Sequence, residues 1–581
     1  MSQFRVVPLG DSAILVVAGE GISNESSKRV YAALDRLEDA FHEVVLSWVP
    51  AYATLLGRIN PRKHRATQIA KRIESYLNLP ANEEKALDEM DGPSAHNHAI
   101  VEIPVCYGGE YGPDLDEVAT GLSMAPSSVV SLHSGTLYRV AMMGFMPGFA
   151  YLTGMPDSIA FPRKSIPRVR VPAGSVGIGG MQTGVYPLTS PGGWQIIGRT
   201  PKRLFRPSES DSTVLHTGDH VRFVPISPAE FREQERSEEG LGDNDHHGKS
   251  IRIQTARTAR TVRIEKPGLF TTIQDLGRGG HEQVGVSKAG AMDFFAASVA
   301  NLLIGNPANA AVLECTLVGP HLRFHCDAMV AVTGANLLPH VNGRPMPMWQ
   351  SVRVTKGSEL VFAGYHSGVR AYIAIEGGVD VPEVMGSRAT DVGAGIGGLL
   401  GRILAQGDEL ALSNSASVAP IRAGRMLHPS LRPTYDKAVT VSFMTSCAPS
   451  ALPSSLVSSF AKSAHRVLPQ SDRKGIRFEG WSLIEGPATD GKSVVSEPVL
   501  MGTIQCPEGG SPVVLMADAQ TVGGYPTLGT VATVDLPRLA QAPPGSVVHF
   551  EWTTEEEALS RLLAAYRVLE WLSLANGASG S

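Results

Sequence analysis

The sequence predicts a mainly β protein with a small α+β domain at its N-terminus, and three observations carry that expectation. Gly and Pro number 61 and 40 of 581 residues, which favours tight turns and short strands over long helices. Helical spacing of apolar residues is confined to a few segments, two of them near the N-terminus. Three Gly-led turns each launch a strand of alternating pattern: "TGDHVRFVPI" (217–226), "QGDELALS" (406–413) and "PGSVVHFEW" (544–552). With two similar turns, "QTGVYP" (182–187) and "QTVGGYP" (520–526), these suggest one β-barrel unit used about three times.

"FRVVPLGDSAILVVAG" reads as two short strands around a turn at Gly10-Asp11. "ESSKRVYAALDRLEDAF" places Val30, Leu34, Leu37 and Phe41 at helical spacing. "VVLSWVPAYATLLGRI" is strand-like and broken at Pro50, and "ATQIAKRIESYLNL" is a second amphipathic helix. These elements form a domain over 1–85. After the polar stretch "EKALDEMDGPSAHNH" the texture becomes all-β through residue 226, interrupted by one helix, "PDLDEVATGL", with Asp114 placed to cap it. Residues 227–260 carry almost no large apolar side chains and read as a disordered tether, as between two fused polypeptides. The all-β texture returns over 261–425 and 426–555, with one helix at "MDFFAASVANLLIG", and an amphipathic helix closes the chain at 556–581.

The chain is too long for a single core. A net charge of −5 points away from nucleic acid and membrane surfaces. The five cysteines are scattered without a C-x-x-C pair, which argues against a disulfide framework or structural zinc. The first residues lack a signal-peptide layout and no run reaches 18 apolar residues, so a cytoplasmic protein is expected.

Two motif matches lack the context their chemistry needs. "GPATDGKS" (486–493) fits the phosphate-loop expression, but the β-branched run after it, with Pro498, cannot continue as a helix. "GAGIGG" (393–398) follows "SRATDV" rather than an apolar strand, so it is not a dinucleotide fingerprint. His246-His247 lies in the tether and is not expected to bind metal.

The informative stretch is 133–206, where His133, Arg163, Lys164, Arg168, Gln182 and Arg199 are interleaved with Gly/Pro-rich loops and aromatics. Cations beside flexible backbone suit an anionic ligand such as a carboxylate or phosphate. Here "GFMPGFAYL", "PRKSIPRVRVPAGSVGIGGMQTGVYPLTSPGGWQIIGRTP" and "VPAYATLL" resemble the family of the B-type subunit of 5-oxoprolinase, also known as the allophanate hydrolase subunit 1 or kinase-inhibitor family. "PGLFTTIQDLGRGGHEQVGVSKAGAMDFFAASVANLLIGN", "AYIAIEGGVDVPEVMGSRAT" and "MGTIQCPEGGSPVVLMADAQTVGGYPTLGTVATVDLPRLAQAPPG" resemble the C-type subunit of the same enzyme, the allophanate hydrolase subunit 2 or biotin-dependent carboxyltransferase family.

The resemblance implies repeated cyclophilin-like barrels, with the two Q-T…Y-P turns at the same position in two of them. It implies an ATP-dependent hydrolase component that opens the lactam of 5-oxoproline to glutamate. That component would work with ATP, Mg²⁺ and a separate third subunit of A type, as a homo-oligomer. Opening a strain-free lactam is uphill, so the site needs cations for phosphates and for the substrate carboxylate, and a general base. The expected ligand-holding groups are Arg163, Arg168, Gln182 and Tyr186 in the first half. In the second half they are Gln274, Asp275, Arg278, Asp518, Gln520 and Tyr525. His133, Asp293 and Glu314 are the candidates for catalysis, with His133 equally suited to a helix end and Glu314 to a structural pairing with an arginine. Asp472 and Arg473 could hold a ligand or each other, and Lys474 stands where the family pattern suggests an apolar residue. A second reading is the carboxyltransferase component of a biotin-dependent urea or amide carboxylase, although the chain has no Met-Lys-Met sequence for covalent biotin. A third is a peptide- or kinase-binding regulatory protein.

Overall fold

Residues 3–19, 21–79, 100–242, 260–414, 423–483, 494–507 and 510–575 are described by the computed structural model. The phosphate-loop look-alike and His246-His247 lie outside them. At the N-terminus β1 (Arg5–Leu9), β2 (Ala13–Val17), β3 (Val45–Pro50) and β4 (Thr54–Ile59) form one sheet in the order β1-β2-β4-β3. Its strands are apolar on both faces because both are covered. Ile14 and Val16 pack under the helices Asn24–Ala40 and Ala66–Leu77, while Ala13 and Leu15 meet residues of both barrels, including Met142 and Val522.

The first closed barrel contains β5 (Ile100–Tyr107), β6 (Leu137–Met143), β7 (Ala150–Thr153), β9 (Ser175–Gly179), β10 (Gln182–Val185), β12 (Gln195–Arg199) and β13 (His220–Pro225). A two-stranded ribbon stands beside it, β8 (Arg168–Val171) with β11 (Ser190–Gly192). The second barrel repeats this plan strand for strand with β25 (Ala438–Thr445), β26 (His465–Val467), β27 (Gly475–Glu479), β29 (Thr503–Gln505), β30 (Val513–Leu515), β32 (Thr527–Val531) and β33 (Val547–Trp552). Its ribbon pairs β28 (Glu497–Pro498) with β31 (Val522–Gly523). In each barrel the last strand returns to lie parallel to the first, β13 on β5 and β33 on β25. The alternating patterns "HVRFVP" and "VVHFEW" are therefore equivalent: Val221 and Phe223, like Val548 and Phe550, point into a barrel.

The third expected barrel is instead a sandwich spanning residues 261–411. One sheet has six strands: β14 (Thr261–Lys266), β17 (His321–Phe324), β19 (Pro339–Val341), β20 (Arg344–Pro345), β22 (Glu359–Phe362) and β24 (Glu409–Ala411). The other has five: β15 (Phe270–Gln274), β16 (Val312–Thr316), β18 (Ala328–Asn336), β21 (Ser351–Val354) and β23 (Ser367–Ile375). The central strands β18 and β23 are buried nearly throughout, because the helix Phe294–Leu303 covers their outer face as the second sheet covers the inner one. "QGDELALS" thus feeds an antiparallel edge strand, and its likeness to the other two is that of a common turn–strand junction. The two Q-T…Y-P turns also differ in place. Gln182 opens the barrel strand β10, whereas Gln520 follows β30 and leads into the ribbon strand β31.

Part of the expected tether is ordered. Pro228–Gly242 is a helix, and residues 243–259 lie outside those described. "SPAE" is a capping box: Ser227 N donates to the Glu230 carboxylate at 2.7 Å and Glu230 N to Ser227 Oγ at 3.3 Å. Phe231 anchors the helix, buried against Tyr111 with ring centroids 4.5 Å apart. The helical stretch in the first barrel is two helices, Leu115–Gly121 and Pro126–Ser134, and Asp114 caps neither with its side chain. At the far end, the helix Glu555–Leu574 carries its own capping box of Thr554 and Glu557. Its first residue, Glu555, also accepts the N–H groups of Ala66 and Thr67, supplying the anionic cap that Arg65 does not give the helix Ala66–Leu77.

Candidate functional site

A cleft of about 430 Å³ opens where the two barrels meet the sandwich. The first barrel supplies Phe145–Pro147, Tyr151, Arg163 and Leu188–Pro191; the sandwich supplies Ser287, Asp391, Gly393 and Ala394; the second barrel supplies Lys474, Ser496, Asp518–Gln520 and Tyr525. Close approach needs glycine at two seams. A Cβ on Gly144 would come within 2.5 Å of Val522, and one on Gly285 within 2.5 Å of the Met146 carbonyl. Phe145, at the rim, is held at φ 66°, a conformation that costs a bulky residue about 1–3 kcal/mol and that clusters at functional sites.

The charges of the cleft are unevenly compensated. Its carboxylates are engaged: Asp391 accepts Ser287 Oγ at 2.6 Å and Ala394 N at 3.0 Å. Asp518 accepts both Nε and Nη2 of Arg473 at 2.8 Å. Burial, with Asp391 and Glu314 nearby, pushes the Asp518 carboxyl up to about 6 against the pull of Arg473. Its cations are not: neither Arg163 nor Lys474 has an ion-pair partner among the described residues. Arg163 reaches only Gln182 Oε1 at 3.4 Å and the Trp194 face at 5.9 Å. The cleft therefore presents two cations without ion-pair partners among the described residues, beside carboxylates already engaged in hydrogen bonds, an arrangement suited to an anion.

Behind Asp518 the sandwich and second barrel are joined by a buried polar network. Arg473 Nη1 donates to Glu314 Oε1, and Nη2 to the Gly290 carbonyl at 2.8 Å. Glu314 Oε2 accepts Tyr372 OH at 2.8 Å and Met292 N at 2.9 Å. Asp293 accepts Tyr435 OH at 2.9 Å and Gln541 Nε2 at 3.0 Å, and caps the helix Phe294–Leu303 through Ala296 N. Glu314 and Asp293, expected as catalytic candidates, thus lie in this buried network and not among the residues lining the cleft. Arg473 pairs with Glu314 and Asp518 rather than with Asp472, whose carboxylate closes the turn onto Lys474 N and Gly475 N. Arg278 lies fully buried nearby. Its Nη2 donates to the Ala389 carbonyl, its Nε and Nη1 have no partner, and Asp391, Asp275 and Asp518 supply the compensating field.

Of the other expected ligand-holding groups, Gln520 and Tyr525 line the cleft with Asp518 and Arg163. Arg168 does not; it donates to Asp114 at 2.6 Å, and the same carboxylate accepts Ile196 N. Tyr186 is packed among Phe149 and Trp194. Gln182 is turned onto the Tyr52 hydroxyl and steadies Arg163. Gln274 is buried on Thr272 and the Thr390 carbonyl, and Asp275 clamps Gly277 N, Ser387 Oγ and Arg388 N. Sequence reasoning misses Ser287, Asp391 and the role of Lys474 as a ligand-facing cation. The irregularity at Lys474 and the glycines of "GAGIGG" are their signal. That stretch forms a turn bridged by Asp391 and Ile396, with Gly393 and Ala394 on the cleft and no helix after it.

His133 sits in the first barrel's core, not in the cleft. Its Nδ1 meets Tyr107 OH and its Nε2 Thr183 Oγ1, both at 2.8 Å, and its ring stacks on Phe223. His465 of the second barrel is buried too but differently held, edge-on to Phe550 and with its Nε2 on the Phe460 carbonyl at 2.9 Å. Burial pushes the His133 imidazole down to about 3, so the ring is neutral at neutral pH. The stabilising contribution is complete above the unfolded value near 6.5 and is lost as pH falls toward 3, because only the unfolded chain gains the proton. Wild type should lose about 2 kcal/mol more than His133→Gln between pH 7 and 5, read from the difference in unfolding midpoints. Equal acid sensitivity of the two proteins would refute the assignment.

Among the described residues no helix is long and apolar enough to cross a membrane, and no group of three or more His, Cys, Asp or Glu could hold a metal ion. Residues 4–215 match the carboxyltransferase domain, subdomain C and D, and residues 284–552 match its subdomain A and B. The first half is 44% identical over 232 residues to the B-type subunit of 5-oxoprolinase from Bacillus subtilis (strain 168), covering 39% of this chain and 95% of that one. The second is 35% identical over 319 residues to the C-type subunit of 5-oxoprolinase from Escherichia coli (strain K12), covering 54% of this chain and 97% of that one. A stretch of 305 residues, 50% of this chain, is also 31% identical to urea amidolyase of Saccharomyces cerevisiae, of which it covers 16%. The crystal structure of TTHA0988 in space group P212121 superposes with a TM-score of 0.75 at 30% identity, over 94% of this chain and 100% of that one.

Proposed function

The chain belongs to the carboxyltransferase-domain family, joining a half homologous to the B-type 5-oxoprolinase subunit to a half homologous to the C-type one, and on that premise we propose that it is a component of an ATP-dependent 5-oxoprolinase. The observation that carries this reading is coverage. The chain spans 95% of the B-type relative and 97% of the C-type relative, and only 16% of a urea amidolyase. A whole pair of such components in one polypeptide leaves a separate third one to be supplied as the partner. The second reading, carboxyl transfer to urea or a related amide, rests on the likeness of about half of the chain to urea amidolyase. Kinship of the two barrels with cyclophilin is part of the proposal.

In the proposed reaction the lactam oxygen takes the γ-phosphoryl group of ATP, its P–O bond to ADP breaks, and the N–H proton leaves. Water adds to the activated carbon, the ring C–N bond breaks with a proton going to nitrogen, and a second water releases phosphate. Arg163 and Lys474 hold the anionic groups of the bound species. Asp518, ionised above about pH 6, takes the proton of the attacking water. Both oxygens of Asp518 accept Arg473, so of the cleft's two carboxylates Asp391, which accepts only Ser287 Oγ and Ala394 N, is the one that would hold Mg²⁺ together with phosphate oxygens. There it would neutralise phosphate charge.

The test is ATP hydrolysis by the purified chain, with and without 5-oxoproline and with a purified third 5-oxoprolinase subunit. Phosphate release that rises with 5-oxoproline, with glutamate formed when the third subunit is present, is the expected result. Absence of 5-oxoproline-linked turnover, together with carboxyl transfer from carboxybiotin to urea, would establish the second reading.

A further inference from the structure

The two barrels share one plan, and the cleft lies between the same three loops of each. From the first barrel come the β6–β7 loop with Phe145, the β7–β8 segment with Arg163, and the β10–β11 loop running into Ser190. From the second come the equivalent β26–β27 loop with Lys474, the β27–β28 segment with Ser496, and the β30–β31 loop with Asp518. Two related domains thus face each other with matching surfaces across one cavity, as the protomers of a symmetric dimer do. The walls carry one cation each. Arg163 stands on a first-barrel segment and Lys474 on a second-barrel loop, both solvent-accessible and both without a carboxylate partner among the described residues. The cleft's own carboxylates are held by Arg473 on one side and by Ser287 and Ala394 N on the other, and neither forms an ion pair with Arg163 or Lys474.

From this arrangement we infer that the cleft is a two-ended site for a small ligand with two anionic groups, one on Arg163 of the first barrel and the other on Lys474 of the second. Within the proposed 5-oxoprolinase reading, on which the ligand's identity rests, the matching species is the phosphorylated lactam, which carries a carboxylate at one end and a phosphoryl group at the other. 5-Oxoproline itself has one anionic group and satisfies one cation. The site therefore selects the activated intermediate over the unactivated substrate, and binding energy is concentrated on the species that must be protected from loss. It also gives both halves of the fused chain a share in one ligand, so neither barrel alone forms the site.

The experiment is titration calorimetry of the full chain, alone and with a third 5-oxoprolinase subunit, against succinate, glutarate and adipate and against butyrate as the one-ended control. The variants are Arg163→Gln, Lys474→Gln and the double variant. At least one dicarboxylate should bind wild type tenfold or more tighter than butyrate. Each single variant should remove that advantage, while butyrate changes less than threefold because one cation remains; the double variant should lose both ligands. The inference is overturned if no dicarboxylate outbinds butyrate, if both single variants leave dicarboxylate binding unchanged, or if one of them alone abolishes binding of both classes, which would mark a single anion hole. Two-ended binding without ATP-linked turnover would sink the 5-oxoproline reading and leave the two-ended site. Turnover without two-ended binding would do the reverse.

Discussion

Arg473→Met should destabilise the second half of the protein by about 3–5 kcal/mol, the largest effect expected of any single substitution in the network behind the cleft. The side chain is 6% exposed and holds two carboxylates at once, Glu314 in the sandwich and Asp518 in the second barrel. Removing the guanidinium leaves both buried close to Asp391, Asp518 with no cation in contact and Glu314 with Arg370 Nε at 4.0 Å as its remaining ion pair. The cost is that of uncompensated charge rather than of the lost bonds alone. The loss should shrink at acid pH, where protonation of Asp518, raised to about 6 even with Arg473 present, relieves part of it. Unfolding midpoints of wild type and Arg473→Met at pH 7 and pH 5 measure this. A difference under about 1 kcal/mol at pH 7 would mean that the pair is already solvated, contrary to its placement.

Asp518→Asn should lower kcat by about 10²–10⁴-fold in the reconstituted reaction while Arg473 keeps its bond to Glu314. The pH profile separates a catalytic part from a structural one. Because burial raises the carboxyl to about 6, wild-type activity should fall as pH drops through that value and be level above it. The acid limb should vanish from the residual activity of Asp518→Asn. An acid limb that persists unchanged would assign it to another group and reduce Asp518 to an anchor for Arg473.

The site is partly legible in the sequence, and the division follows the physics of each residue. Arg163, Asp518, Gln520 and Tyr525 stand out because they lie in loops rich in Gly, Pro and aromatics, where backbone and side chains are free to meet a ligand. Arg168 has the same texture around it and a different fate. Its partner, Asp114, lies 54 residues away and is brought up by the β11–β8 ribbon and the turn before β12. His133 suggests an acid or base in sequence, since nothing in its neighbours announces that Phe223 of β13 will cover its ring. Lys474 looks like a departure from pattern and proves to face the cleft. The expectation of a third barrel fails for a similar reason. A turn–strand junction such as "QGDELALS" does not say which strand it will pair with, and here β24 pairs with β14 at a sheet edge.

By itself the sequence determined what depends on near neighbours. The period-two alternation of "HVRFVP" and "VVHFEW", the 3.6-residue spacing of the N-terminal helices, and the capping boxes at Ser227–Glu230 and Thr554–Glu557 are local geometry written in local residues. It also determined that cations would crowd the loops of the first barrel. Only the tertiary structure decided which of those cations are spent in ion pairs and which are left for a ligand. Arg473 finds Glu314 across 159 residues, and Arg163 and Lys474 come to one cavity from different barrels. Charge pairing acts through space over a few ångströms, so its outcome is set by which loops the two barrels bring face to face.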